Sequence, residues 1–304
     1  METVKNELAE QLGVFATTPM RTEMPKTPKD YGMNYEDVRF NSPDGINIAA
    51  WYIPAKSDSN KLVMMTHAML HTRYGFIAPE GLKEMLPVHV EFQNTVKHLH
   101  ENGYNVLFMD FRNHGESGEA NDGVCGVSYY EWQDVVGMID YVNGHEKLGK
   151  MEKGFMGFCM GASSTIKAMG MEPEKFKDIQ FLLAVQPISM RVFMEKVYVM
   201  NDPNAGTQEI ADVDQAIQSN RGFGLDDMSP AAYVKDLDIP TMFVQLKNDT
   251  FTDPSDVQSF YDNTHSEKEL LWLDGNHHRL SAFNYFADNP SQMLGFIKKN
   301  FSLN

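Results

Sequence analysis

The chain has 304 residues, 42% hydrophobic and 22% charged, a globular composition that one α/β sheet with an insertion accommodates and that excludes general disorder. Forty-two acidic against 26 basic residues give a formal net charge of −16, which excludes nucleic acid and anionic membrane as partners, and two cysteines exclude a disulfide framework. No apolar run is long enough to span a bilayer, and the opening METVKNELAEQLGVF carries acids where a signal peptide has cations, so a soluble, cytoplasmic protein is expected.

Residues 1–33 read as an N-terminal appendage: a short amphipathic helix through Val4, Leu8 and Leu12, then a Pro/Thr/Lys loop. From Tyr35 the text becomes regular. YEDVRFNSPDGINIAAWYIPA predicts two strands around an Asp44-Gly45 turn, and KLVMMTHA (61–68) a buried strand. EFQNTVKHLHENG (91–103) predicts a helix closed by Gly103, and YNVLFMDFR (104–112) another buried strand. A helix over 129–145, a strand over 151–158 and a helix over 162–171 follow. Strands at 181–189 and 239–247, a helix near 254–263, a strand at 268–274 and a last helix near 290–299 complete the series. Strands alternating with helices predict a mostly parallel sheet covered on both faces. Residues 190–229 break the rhythm and predict a small helical cap or lid over a core formed by 34–189 and 230–304.

The chemistry concentrates in Gly157-Phe158-Cys159-Met160-Gly161-Ala162, between a predicted strand and helix. A nucleophile on a strained strand-to-helix turn needs small residues two places away on each side, and Gly157 and Gly161 supply them. The helix N-terminus favours negative charge on the nucleophile and offers the Met160 N–H to an oxyanion.

From Tyr35 onward the chain resembles the α/β-hydrolase superfamily. The resemblance is carried by SPDGINIAAWYIPA (42–55), His67-Ala68, DFRNHGESG (110–118), the 157–161 elbow, Ile239-Pro240-Thr241 before a strand ending near Asp249, and Gly275-Asn276-His277-His278. It implies an α/β-hydrolase fold with a triad in the order nucleophile, acid, histidine: Cys159, Asp249 and His278. Asp253 is the alternative acid, and His277 the alternative histidine. In these roles His278 moves the thiol proton and Asp249 orients the imidazole. The resemblance further implies a second oxyanion donor just after the third strand, at the Met69 N–H, although the common His-Gly is here His67-Ala68. The Asp110–Gly118 loop is scaffold in the superfamily, so Arg112, His114 and Ser117 are not expected to be catalytic, and Cys125 reads as a loop thiol. No metal-ligand spacing and no nucleotide-binding motif occur, so no metal and no cofactor are expected.

Cysteine at the elbow is the informative departure. GFCMGA is similar to the elbows of dienelactone hydrolases and polyhydroxyalkanoate synthases, and bile-acid-CoA N-acyltransferases share the cysteine. Acyl transfer from a thioester to cysteine is nearly isoenergetic, so the acyl-enzyme stays activated. The activated acyl-enzyme admits transfer, but no acceptor motif is recognisable, so the expected function is hydrolysis of an ester, lactone or thioester through an acyl-cysteine. The alternatives are acyl transfer or condensation from a CoA or carrier-protein thioester, and an inactive binding protein on the same fold. Of the methionines, Met69 and Met160 are expected in an adaptable acyl pocket.

Overall fold

Strands without polar alternation must be covered on both faces, and LVMMT, NVLFM, KGFMGF and FLLAV are all such runs. In the computed structural model, which describes residues 2–275 and 278–301, they form the middle of one eight-stranded sheet. Its strands are β1 (Glu36–Asn41), β2 (Asn47–Ile53), β3 (Lys61–Thr66), β6 (Asn105–Met109), β7 (Glu152–Phe158), β8 (Ile179–Val185), β9 (Thr241–Leu246) and β10 (Lys268–Leu273). The order is β1-β2-β6-β3-β7-β8-β9-β10, with β2 antiparallel to its neighbours and β6 through β10 parallel. A two-stranded ribbon, β4 (Gly75–Phe76) with β5 (Val90–Glu91), lies in a stretch for which the sequence suggested no element.

Five longer helices connect or close the core: α2 (Phe92–Glu101), α3 (Trp132–Gly144), α4 (Met160–Met171), α7 (Pro254–Asn263) and α9 (Pro290–Phe301). A single turn, α8 (Tyr285–Asp288), precedes the last. From β3 the chain crosses to β6 on one side and later returns to β7 on the other. That reversal leaves a crevice at the carboxyl ends of β3 and β7, the usual place for a ligand in a parallel sheet. No helix among the described residues is long and apolar enough to cross a membrane.

Above the crevice lie α5 (Met190–Asn201) and α6 (Thr207–Arg221), joined by α1 (Glu2–Thr17). The N-terminal helix is therefore no appendage. Its residues Ala9, Leu12 and Ala16 are buried in the common core, and it packs along α6. The following segment is stitched down: the Thr17 carbonyl accepts from the Cys125 N–H at 2.9 Å, and Arg21 donates to the carbonyls of Gly115 and Ser117 at 2.6 and 2.9 Å.

The Asp110–Gly118 loop ties its polar groups to the surrounding scaffold and to itself. Fully buried Arg112 donates from Nε and Nη2 to Asp134 at 2.9 and 2.7 Å and from Nη1 to Asp44 at 2.7 Å. Burial pushes the Asp134 carboxyl up to about 6, with the Arg112 charge pulling the other way. Asp110 holds Arg73 and the Glu116 N–H, and Ser117 donates back to the Asp110 carbonyl at 2.7 Å. Arg112→Met should leave the buried Asp134 carboxylate with only the backbone N–H of residue 112, at 2.9 Å, and no compensating charge, and cost roughly 3–5 kcal/mol in urea unfolding. Adding Asp134→Asn should recover part of that loss.

Candidate active site

The elbow begins with a close approach. A Cβ at Gly157 would lie 2.7 Å from the backbone of Ala162, and one at Gly161 would lie 2.6 Å from the Thr66 carbonyl oxygen. Only hydrogens fit, so β7 turns directly into α4. The residue at the turn takes the strain: Cys159 sits at φ 50, ψ −114, outside the regions comfortable for an L-residue. Its N–H is held by the Val185 carbonyl at 2.8 Å, and its carbonyl receives the Ser163 N–H at 2.9 Å. The thiol faces a cavity of about 90 Å3 whose walls are overwhelmingly apolar.

That cavity gathers distant parts of the chain. Phe15 and Ala16 come from α1, Met190 and Phe193 from α5, Met85 and Leu86 from the segment between the ribbon strands, and Phe251 and Phe283 from the loops after β9 and β10. Its polar walls besides Cys159 are His71 and Arg279. Met69 and Met190 line it, whereas the Met160 side chain receives the Cys125 thiol at 3.5 Å and Met200 is exposed. The Met160 side chain is thus core filling, because the helix start turns it back into the sheet.

Where the oxyanion donors are expected, Met160 is the first residue of α4, a position whose N–H has no acceptor within the helix. The loop after β3 makes a tight reversal, with the His71 N–H on the Ala68 carbonyl at 3.1 Å and Leu70 at φ 68. The Met69 carbonyl is taken by His71 Nδ1 at 2.8 Å, and Met69 borders the cavity. Buried His67 bridges two strand ends, its Nδ1 at 2.8 Å from the Ala68 carbonyl and its Nε2 accepting the Phe111 N–H at 3.0 Å. Burial lowers the pKa of both histidines, His71 to about 3, which keeps their rings neutral.

The acid position behaves differently from the expected triad. Asp249 is buried, and its carboxylate accepts from Phe251 N–H at 3.0 Å, Thr252 Oγ1 at 2.7 Å and Arg279 Nη1 at 2.5 Å. The expected Asp249–His278 contact is not made. His278 instead shows its Nε2 to the Met85 carbonyl at 2.9 Å, its Nδ1 accepts the Leu280 N–H at 3.2 Å, and its ring meets Phe251 edge-on at 5.4 Å. The reason is electrostatic: a buried carboxylate is best compensated by a full charge, and the neighbouring residue supplies a guanidinium. Burial opposes the Arg279 charge, but nearby Cys159 and Asp249 more than offset it and raise its pKa. His277 lies outside the described residues. Asp253 caps α7, accepting the Ser255 N–H at 3.0 Å on an exposed surface.

Two residues escaped the sequence reading. Arg279 is the buried charge between Cys159 and Asp249, and Gln186, at φ 49 after β8, accepts Arg279 on its carbonyl and donates to the Arg279 carbonyl at 2.8 Å. A lone arginine after two histidines carries no motif, so only the buried partner betrays it. Among the described residues no group of three or more His, Cys, Asp or Glu could hold a metal ion. If the elbow depends on the bare backbone at its base, Gly157→Ala should cost about 1–3 kcal/mol in thermal or urea unfolding. The displaced turn should also slow alkylation of Cys159.

Comparisons with known proteins agree with this architecture. The sequence profile of the alpha/beta hydrolase fold matches residues 68–219, half of the chain, and that of the PhoPQ-activated pathogenicity-related proteins matches residues 208–303. The uncharacterized Bacillus subtilis protein YqkD is 25% identical over 199 residues, 62% of this chain; the match spans 61% of that protein's length. An esterase of Pyrococcus furiosus superposes with a TM-score of 0.70 at 22% identity, over 94% of this chain and 98% of that one. An esterase of Exiguobacterium antarcticum gives 0.57 at 15% identity, over 86% and 100%. An acylaminoacyl peptidase of Pyrococcus horikoshii gives 0.62 at 14%, over 88% of this chain and 42% of that one. At these identities the structural likenesses speak to fold alone. With the profile match, the sheet order and the cysteine elbow at the switch in strand order, the chain belongs to the α/β-hydrolase family.

Proposed function

We propose that the protein hydrolyses an ester or thioester of a small acyl group through an acyl-Cys159 intermediate. The observation that carries this reading is a strained Cys159 at the head of α4, opening into an apolar cavity. Two structural neighbours named as esterases support it. In this reading the sulfur attacks the carbonyl carbon, and the oxyanion is received by the N–H groups of Met160 and Met69. The leaving alcohol or thiol departs with a proton. Water then attacks the acyl-cysteine, releasing the acid and restoring the thiol.

Proton transfer belongs to His278. Its Nε2 hydrogen-bonds the Met85 carbonyl, and Met85 and Leu86 are also walls of the acyl pocket. An acyl chain that presses this segment outward releases the ring. Asp249 then works at one remove: through Arg279 it anchors the loop on which the preceding residue, His278, is carried.

The test uses a panel of p-nitrophenyl esters and acyl thioesters, followed by intact mass. Cys159→Ala should abolish turnover and the acyl adduct. His278→Ala should lose about 100- to 10,000-fold in kcat with only a small fall in melting temperature, because the ring is half buried and its loss removes the cap on the Leu280 N–H. Asp249→Asn should lower both activity and melting temperature, since it strands the Arg279 charge. Full activity of Cys159→Ala would defeat the reading. Acyl products passed to added amines or alcohols, in place of free acid, would convert it from hydrolase to transferase.

A further inference from the structure

One wall of the acyl pocket is a segment that the chemistry above does not use. Val127 lines the cavity together with Cys159 and sits at φ 50, and Ser128 follows at φ 135. A β-branched residue in the left-handed region is a true outlier, and each such conformation costs on the order of 1–3 kcal/mol. It persists only where the surroundings over-determine it.

Here they do. Glu131, fully buried, accepts the Gly126 N–H on one carboxylate oxygen and the Ser128 N–H on the other, both at 2.9 Å. These two donors flank Val127. The Cys125 N–H is tied to the Thr17 carbonyl at the end of α1, and the Tyr129 ring stacks on Phe223 at 4.5 Å. A glycine would adopt this backbone without strain. Holding a valine there with a buried carboxylate is understandable where the isopropyl group itself matters. The cavity it borders, about 90 Å3, is smaller than the ~150 Å3 that admits a benzene-sized guest.

We propose that Val127 is the specificity-determining residue of the pocket, restricting it to acyl chains of fewer than six carbons, and that Glu131 is the positioning residue that holds it in place. The proposal rests on the acyl-Cys159 reading. Val127→Gly removes the wall and the strain together, Val127→Ala removes the wall alone, and Val127→Ile extends it by one methylene.

The experiment measures kcat/KM for p-nitrophenyl acetate, butanoate, hexanoate and octanoate. It also measures Cys159 labelling by N-alkyl iodoacetamides of increasing chain length, in which the S–C bond forms as iodide leaves and the thiol proton passes to buffer. Val127→Gly and Val127→Ala should raise the octanoate-to-acetate ratio by about 10- to 100-fold, and Val127→Ile should lower the butanoate-to-acetate ratio about tenfold. Glu131→Gln, which turns one acceptor into a donor, should move the ratio in the direction of Val127→Gly. Unchanged ratios in a folded Val127→Gly or Val127→Ala protein, judged by circular dichroism and melting temperature, would overturn the proposal. If no ester is turned over but the labelling rates shift with chain length in the same way, the hydrolase reading fails and the gauge stands. Labelling indifferent to chain length in wild type and variants alike would overturn the gauge.

Discussion

The contact between β7 and α4 at the elbow is the constraint on which the rest of the molecule depends. Because Gly157 and Gly161 present no side chains, the first turn of α4 lies against the ends of β7 and β3, and Cys159 has to turn out at φ 50. The same closeness brings the loop after β3 beside the helix start, so two backbone segments meet on one side of the sulfur. A larger residue at either glycine would separate helix and sheet and move every wall of the cavity relative to the thiol.

Of the five buried carboxylates among the described residues, four are received by an arginine or by several N–H groups, and Asp256 accepts the Ser189 N–H. Asp134 has Arg112, Asp110 has Arg73, Asp249 has Arg279, and Glu131 has the amides of its own loop. Removing one partner from such a pair is far more costly than the pair is favourable, so these contacts define geometry more than they add stability. Asp249 and Arg279 form such a pair beside Cys159. The pair is nearly neutral as a unit, yet it fixes a loop between the last strand and the C-terminal helices.

Much of this was legible in the text. The buried runs of β3, β6, β7 and β8 announce a parallel sheet, and the glycines around Cys159 announce the turn, because both follow from local chain geometry. The N-terminal helix was legible as a helix but not as part of the roof, since its partner α6 lies some 200 residues away and its apolar face says nothing about what covers it. Asp249 was legible from its place after β9. Its partner was not, because a choice between an imidazole and a guanidinium on adjacent residues depends on which one the loop turns inward. The Met69 and Met190 walls and the core-facing Met160 divide for the same reason: side-chain direction is set by the turn and not by the residue type.

These parts are coupled through the cavity. Phe15 and Ala16 of α1 and Val127 of the strained loop line the same space, and the Thr17 carbonyl holds the Cys125 N–H two residues before Val127. The N-terminal helix therefore supports the loop that narrows the pocket while also roofing it. A shift of α1 along α6 would alter the roof and the loop anchor together. In a cavity this small, either wall has little room to move without changing the space beside the thiol, so access to Cys159 is governed by how these two elements pack as much as by the elbow itself.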